Sequence, residues 1–394
     1  MANVSSSNGL EKYPKLRFKG FSEPWNAIRF GDIVEEYSDR TKEEDEDILL
    51  SAAIEGMFLN SELFDHQRGA SNKGYKKIDM GTLVLSTQNL HLGNANVNLR
   101  FEHGMVSPAY KTYHIQDCSI GLIAEWVKSE KAKRFFYDAT TVGASVCRRN
   151  VEWDTLYDQP LYLPSEAEQE RLAAFLTALS TRIKKQTELV EHLKKYKRGL
   201  LSAVFSRELS FSDGQWISKP FSEIAHLGKK RYTPSPNECK PCIELEHIEQ
   251  LTGRLLGSVN SNEQNSQKSA FEKGDVLFGK LRPYLKKYAL PNFEGVCSTE
   301  IWVFKPTECI TSEFLYYLVQ SEGFINAANI SSGTKMPRAE WSKVASTVFF
   351  LPNIEDQTKI VNLLMKIDKK INTESMLLEK LEQFKKASLQ KLFI

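Results

Sequence analysis

The sequence predicts an α+β fold made of two similar domains separated by a long antiparallel two-helix coiled coil, the whole forming an internal pseudo-twofold repeat. Three observations predict it. The stretch from Leu163-Pro164-Ser165 to Phe205 recurs from Leu351-Pro352-Asn353 to Phe393, without a gap, at an offset of 188 residues. Both copies carry apolar residues at alternating spacings of three and four, the seam of a coiled coil. Ahead of each copy lie short strand-like runs mixed with helical ones, introduced by similar phrases. The boundaries that follow are 1–160 for the first domain, 161–207 for the first long helix, 208–350 for the second domain and 351–394 for the second helix.

In chain order, residues 1–15 are rich in Ser and Asn, lack an apolar pattern and are expected to be disordered. Phe21-Ser22-Glu23-Pro24-Trp25 then leads into Phe30-Gly31-Asp32-Ile33, as Phe211-Ser212-Asp213-Gly214-Gln215-Trp216 leads into Phe221-Ser222-Glu223-Ile224. Thr82–Leu85 and Asp275–Phe278 read as short buried strands after glycine turns, and Thr299–Phe304 alternates as a strand. Ile120–Ser129 and Ser312–Ser321 have helical spacing. Gly104-Met105-Val106-Ser107 echoes Gly295-Val296-Cys297-Ser298, and Val151-Glu152-Trp153 echoes Ala339-Glu340-Trp341.

The long helices follow from their patterns. Leu172, Leu176, Leu179, Ile183, Val190 and Leu193 form the stripe of the first, and Ile360, Leu364, Ile367, Ile371, Leu378 and Leu381 that of the second. Ser165 with Glu168, and Asn353 with Asp356, are expected to cap the N-termini. Acidic residues crowd the first turn and Lys194, Lys195, Lys197 and Arg198 the later turns, which suits the helix dipole. About forty residues make a rod of about 60 Å, and its stripe needs a partner, for which the other copy is the nearest source. Gln186 and Glu374 interrupt the two stripes at equivalent places and are expected to form a polar layer near the pseudo-twofold axis.

Composition bounds the function. A chain of 394 residues with 41% hydrophobic and 26% charged residues is ordinary for a soluble protein of two or three domains. There is no run of eighteen apolar residues and no charged-then-apolar leader, so the expected location is the cytoplasm, with no membrane partner. Six cysteines in this length do not make a disulfide framework. A net charge of +2 says little about partners, because local basic patches serve nucleic-acid binding as well as a basic total does. Catalytic signatures are missing: no Gly-x-x-x-x-Gly-Lys-Ser/Thr, no Gly-x-Gly-x-x-Gly, and no Asn- or Asp-Pro-Pro-aromatic run. Cys239 and Cys242 have half the spacing of a zinc site without a second pair, and His247 with Glu249 reads as scaffold on an alternating strand. No metal ligand set and no catalytic residue is expected.

In these residues the chain resembles the specificity subunit of type I restriction-modification systems. The resemblance rests on Leu163-Pro164 with Glu168-Gln169 and the helix ending Leu193-Lys194-Lys195-Tyr196-Lys197-Arg198-Gly199-Leu200, on its C-terminal copy, on Ile243–Ile248, and on Gly274–Phe278 with Leu281-Arg282-Pro283-Tyr284. It implies two target-recognition domains, each reading one half of a split double-stranded DNA site. It also implies two methyltransferase subunits that modify adenine and, in the full complex, two restriction and translocase subunits. Cofactors are expected in those partners (S-adenosylmethionine, ATP and magnesium) and none in this chain.

The residues suited to such reading are Arg, Lys, Asn and Gln near base edges, with further cations on phosphates. In the second domain these are Lys280, Arg282, Tyr284, Lys286 and Lys287 after a strand, Lys229, Lys230 and Arg231 before it, and Ser332, Thr334, Lys335 and Arg338 towards its end. In the first domain the matching places hold Gln88, Asn89 and His91, and Ser145, Arg148 and Arg149. Two rival readings are a self-contained restriction or methyltransferase enzyme, which would need the missing catalytic motifs, and a coiled-coil scaffold binding only proteins, which would lack DNA affinity.

Overall fold

The structure is a computed structural model that describes residues 2–3, 13–64, 71–145, 148–209, 215–330 and 336–394. It divides into two compact units, one of Met1–Thr187 with Met376–Ile394 and one of Glu188–Ser375. Both are mixed α and β, and both contain a stretch of each long helix.

In the first unit a four-stranded antiparallel sheet runs in the order Val34–Tyr37, Tyr110–Ile115, Leu83–Ser86, Ala95–Val97. Its counterpart in the second unit runs Ala225–Leu227, Ile301–Pro306, Val276–Gly279, Tyr288–Ala289. The observed strands lie one or two residues later than the sequence-based bounds. A five-stranded sheet completes the second unit, with Gly295–Ser298 parallel to Pro241–Ile243. The first unit has His103–Val106 paired with Lys76–Asp79, and a parallel bridge from Leu49 to Met105.

That shared pairing explains the echo between Gly104 and Gly295. A Cβ on Gly295 would lie 2.6 Å from the Pro241 carbonyl oxygen, and one on Gly104 would lie 3.0 Å from that of Ile48 and collide with Leu50. Both glycines are therefore held by close approach of a neighbouring strand.

The helical runs at 120–129 and 312–321 are each shorter than their spacing suggests. Ile120–Trp126 and Ser312–Leu318 end, and new helices begin at Glu130–Asp138 and Glu322–Asn329. The cause is a serine at each junction: Ser129 Oγ accepts from Ala132 N–H at 3.0 Å, and Ser321 Oγ from Phe324 N–H at 3.3 Å. His247 and Glu249 also differ from expectation, since Leu245–His247 is a 3-10 turn rather than a strand. His247 Nδ1 accepts from Glu244 N–H, and Glu249 binds Thr252 and Arg254, so both remain scaffold.

The long helices span Glu166–Phe205 and Ile354–Leu392. Each is delivered by a strand, Pro160–Leu163 on Asn26–Arg29 and Val348–Leu351 on Ile217–Pro220, so the strand that feeds the helix crosses the expected boundaries at 160 and 350. Gln169 and Gln357 clamp the starts alike. Gln169 Oε1 accepts from Ser119 N–H at 2.9 Å while its amide donates to the Pro164 carbonyl; Gln357 Oε1 accepts from Thr311 N–H at 3.0 Å while its amide donates to that of Pro352. This is why Pro and Gln recur five residues apart.

Capping divides the two N-termini. Asn353 Oδ1 accepts from Asp356 N–H at 2.9 Å and its amide donates to the Asp356 carboxylate, as expected. Glu168 departs from expectation: its two oxygens instead take the guanidinium of Arg17, at 2.8 and 2.6 Å, with both side chains buried.

Within each unit the two helix stretches run antiparallel. In the first, Leu172 and Leu176 share a core with Leu389 and Leu392, Phe175 meets Phe384, and further along Ser180 meets Lys385. In the second, Leu201 and Val204 share a core with Ile360 and Leu364, and Lys197 meets Asp368. Of the expected stripe, Leu172, Leu176, Leu179, Val190, Ile360, Leu364, Ile367 and Ile371 are buried, and Ile183, Leu193, Leu378 and Leu381 are half-buried. Gln186 is buried, and Glu374 takes Lys370 across one turn at 2.7 Å.

Candidate nucleic-acid interface

In the second unit the surface grows from the end of the strand Val276–Gly279. Gly279 is small because a Cβ would meet the Leu245 side chain at 2.9 Å. After it the chain makes a 3-10 turn at Pro283–Leu285 flanked by Arg282 and Lys286, both left-handed at φ 52° and 49°. Buried Pro283 anchors the turn, and Arg282 and Tyr284 stand exposed.

This turn is joined to the segment after residue 335. Arg282 N–H donates to the Pro337 carbonyl at 2.8 Å, Ala339 N–H donates to that of Lys280 at 2.9 Å, and Leu281 forms a bridge with Arg338. Two stretches more than fifty residues apart in the sequence thus bring Lys280, Arg282 and Arg338 together, whereas Lys286 lines a cavity with Lys194, Lys197 and Arg198 of the long helix. Lys280 N–H donates to the Glu300 carbonyl, and the Glu300 carboxylate accepts from Arg338 Nε at 3.0 Å.

Other expected residues fall differently. Lys287 is half-buried and donates to the Leu245 carbonyl at 2.6 Å, and burial pulls its pKa down, so it serves the turn rather than a ligand. Lys229 and Lys230 are exposed, but on another sheet, beside the edge strand Arg231–Tyr232, where Arg231 donates to Ser269 Oγ. Ser332, Thr334 and Lys335 lie outside the described residues.

In the first unit Gln88 and Asn89 are exposed, their N–H groups directed at Ser86 Oγ. His91 is a correction: it is 8% exposed, inside the turn Leu90–Leu92, and burial with the nearby Arg149 charge pulls its pKa down. It is a neutral core residue, unsuited to contacting DNA. Arg149 lies in a hairpin of Thr140–Ser145 with Arg148–Val151, donates to the Thr140 hydroxyl and carbonyl at 2.7 Å, and stacks 4.1 Å over Tyr137. It is half-buried and staples the hairpin. Ser145 and Arg148 face each other in that ladder, and their side chains lie outside the described residues.

The thiols carry no visible chemistry. Cys239 is exposed, Cys242 is buried in a strand with its pKa pushed up to about 11 by burial, and no cluster of potential metal ligands occurs among the described residues. No described helix is long and apolar enough to cross a membrane.

Comparison with known proteins finds one family domain. Residues 215–383 match the family model of the type I restriction modification DNA specificity domain. That match covers less than half of the chain, which there is similar to type I specificity subunits. The chain is 25% identical over 159 residues to the type I restriction enzyme EcoDI specificity subunit of Escherichia coli, covering 40% of this chain and 35% of that one. It is 31% identical over 157 residues to the HindI specificity subunit of Haemophilus influenzae, covering 36% of this chain and 34% of that one. These matches span about a third of the length of either relative. The fold agrees with the crystal structure of the type I restriction-modification S subunit from M. genitalium, at TM-score 0.61 and 14% identity, over 97% of this chain and 99% of that one.

The conformation of the turn at 283–285 has a measurable consequence. In the first unit the residue that ends the matching 3-10 turn is Gly93, left-handed at φ 91°, whereas the second unit uses Lys286 in that role. A non-glycine residue there costs about 1–2 kcal/mol, part of which glycine forfeits as chain entropy. Lys286→Gly is therefore expected to leave the fold as stable, or up to about 1 kcal/mol more stable, in urea denaturation. A destabilised variant would show that the Lys286 side chain supports the fold.

Proposed function

We propose that this chain is the DNA-reading subunit of a type I restriction-modification complex, with one recognition domain per half of a split site and the long helix pair as spacer. The carrying observation is the convergence, in the second domain, of the turn at 280–287 with the segment at 336–339, which brings Lys280 beside exposed Arg282 and Arg338. Cations on such a surface position the protein on phosphates, while Arg and amide side chains read base edges in the major groove. In the first domain Gln88 and Asn89 occupy the matching turn and suit adenine, whose N6 and N7 pair with an amide.

On this reading the chain is not catalytic. It directs adenine methylation by two methyltransferase subunits, which bind S-adenosylmethionine, and cleavage by two restriction subunits, which use ATP and magnesium. A rod of about 60 Å is long enough to set two readers on half-sites about one DNA turn, near 34 Å, apart, leaving the bases between them unread.

The test is a domain exchange. Replacing residues 1–160 by those of a relative with another target, then mapping methylated adenines, should change one half of the recognised site and leave the other. Binding by the assembled complex should fall steeply with salt. A change in both halves, or no DNA binding with methyltransferase subunits present, would remove the reading.

A further inference from the structure

We infer that Lys385 and Lys197 are positioning residues, each locking one recognition domain onto the helix pair from the long helix of the opposite sequence half. This rests on the reading above that each domain serves one half-site. The two lysines are equivalent under the 188-residue offset, as are Ser180 and Asp368. Glu125 and Tyr317 are also equivalent, each the sixth residue of its short helix, Ile120–Trp126 or Ser312–Leu318.

In the first unit Lys385 Nζ lies 2.8 Å from Glu125 Oε2 and donates to Ser180 Oγ at 2.6 Å, and Ser180 Oγ donates to Glu125 Oε1 at 2.6 Å. In the second unit Lys197 Nζ lies 2.7 Å from Asp368 Oδ1, and Tyr317 Oη donates to Asp368 Oδ2 at 2.7 Å. Lys197 also sits 5.5 Å from the Tyr317 ring centre. The lysine stays in place while the carboxylate moves, from the domain helix in one unit to the long helix in the other. Two positions have changed together while the cation stays neutralised, so both units retain a charged cluster that ties the domain's short helix to the rod, by the ion pair itself in the first unit and through the Tyr317 hydroxyl on Asp368 in the second.

A buried pair broken on one side leaves an uncompensated charge, so each lock resists tilting of its domain's short helix. Reading contacts demand placement much finer than stability does, and a tilted domain loses base discrimination before it loses phosphate binding. The lock works crosswise. Lys385 belongs to the C-terminal copy and holds the first domain, whereas Lys197 belongs to the first copy and holds the second.

The experiment uses the full chain assembled with its methyltransferase subunits and duplexes altered in one half-site at a time. Lys385→Met is expected to lower discrimination about tenfold or more at the half-site read by residues 1–160 and not at the other, the scale of one misplaced base contact. Lys197→Met should do the mirror image. Hydrogen exchange gives a second readout that needs no DNA: Lys385→Met should speed exchange in Ile120–Trp126 and spare Ser312–Leu318. Glu125→Gln should repeat the Lys385→Met effect, and the pair Glu125→Tyr with Ser180→Asp, which builds the other unit's arrangement, should restore discrimination. Should the methionine variants unfold, Lys385→Arg, which keeps the charge, decides through the same two readouts. Equal effects on both half-sites, or no effect on either with exchange unchanged, overturn the inference. Crosswise exchange without any split-site recognition by the unmodified complex would instead overturn the functional reading alone.

Discussion

Arg17→Met is expected to destabilise the first unit by about 3–5 kcal/mol, the scale of removing one partner of a buried ion pair. Arg17 is buried and grips both oxygens of Glu168, itself buried in the first turn of the long helix. Without the guanidinium that carboxylate keeps its desolvation cost and loses its two charge-assisted hydrogen bonds. The neighbouring contacts are too weak to substitute: Phe18 packs edge-on to Phe175, and Arg171 lies 5.4 Å from the Phe18 ring centre. The double variant Arg17→Met with Glu168→Leu should recover most of the loss, because no charge is then left buried. Urea denaturation with hydrogen exchange over residues 166–172 measures both. A single variant within about 1 kcal/mol of the parent would mean that the pair is solvated in solution, and that strand Leu16–Arg17 does not fasten the helix start.

The helices were legible because their signal is local and periodic, and because the copy repeats it: the stripe from Leu172 to Leu381 needs only spacing to be seen. Gln169 and Gln357 recur for a reason invisible in one dimension, since each clamps a backbone N–H about fifty residues upstream. The same holds for Gly104 and Gly295, whose neighbours come from a strand far away in the chain. Site residues were harder because exposure is a tertiary property. His91 and Lys287 are polar residues in the right loops, yet one is turned into the core and the other is spent on a carbonyl. Arg149 is likewise engaged by Thr140 and Tyr137. Glu300 escaped notice because an acid in a cationic surface becomes meaningful only once Arg338 is seen against it. The one signal in the sequence was an acid two residues after the Gly295–Ser298 strand.

Arg338→Ala is expected to cost about 1–3 kcal/mol at a single guanine of the second half-site and to leave other positions unchanged. The geometry argues for base reading rather than phosphate binding. A residue that only neutralises phosphate needs no fixed pose, whereas Arg338 is fixed twice, through its backbone bridge to Leu281 and through the Glu300 carboxylate on Nε at 3.0 Å. A carboxylate on Nε occupies one edge of the guanidinium, and the fork of terminal nitrogens on the remaining side matches guanine O6 and N7. Glu300 also costs the surface a positive charge, which a phosphate site would not favour. Glu300→Gln should keep the side-chain shape, weaken the buttress and relax discrimination at the same guanine by less than Arg338→Ala does. Lys280→Ala, by contrast, should weaken all sequences alike and lower the salt slope by about one. Affinities of the assembled complex for duplexes substituted one base pair at a time separate these outcomes. A loss from Arg338→Ala that is uniform across sequences would make it a phosphate contact, and Glu300 would then be a brake on non-specific binding, which Glu300→Gln would reveal as tighter binding to every duplex.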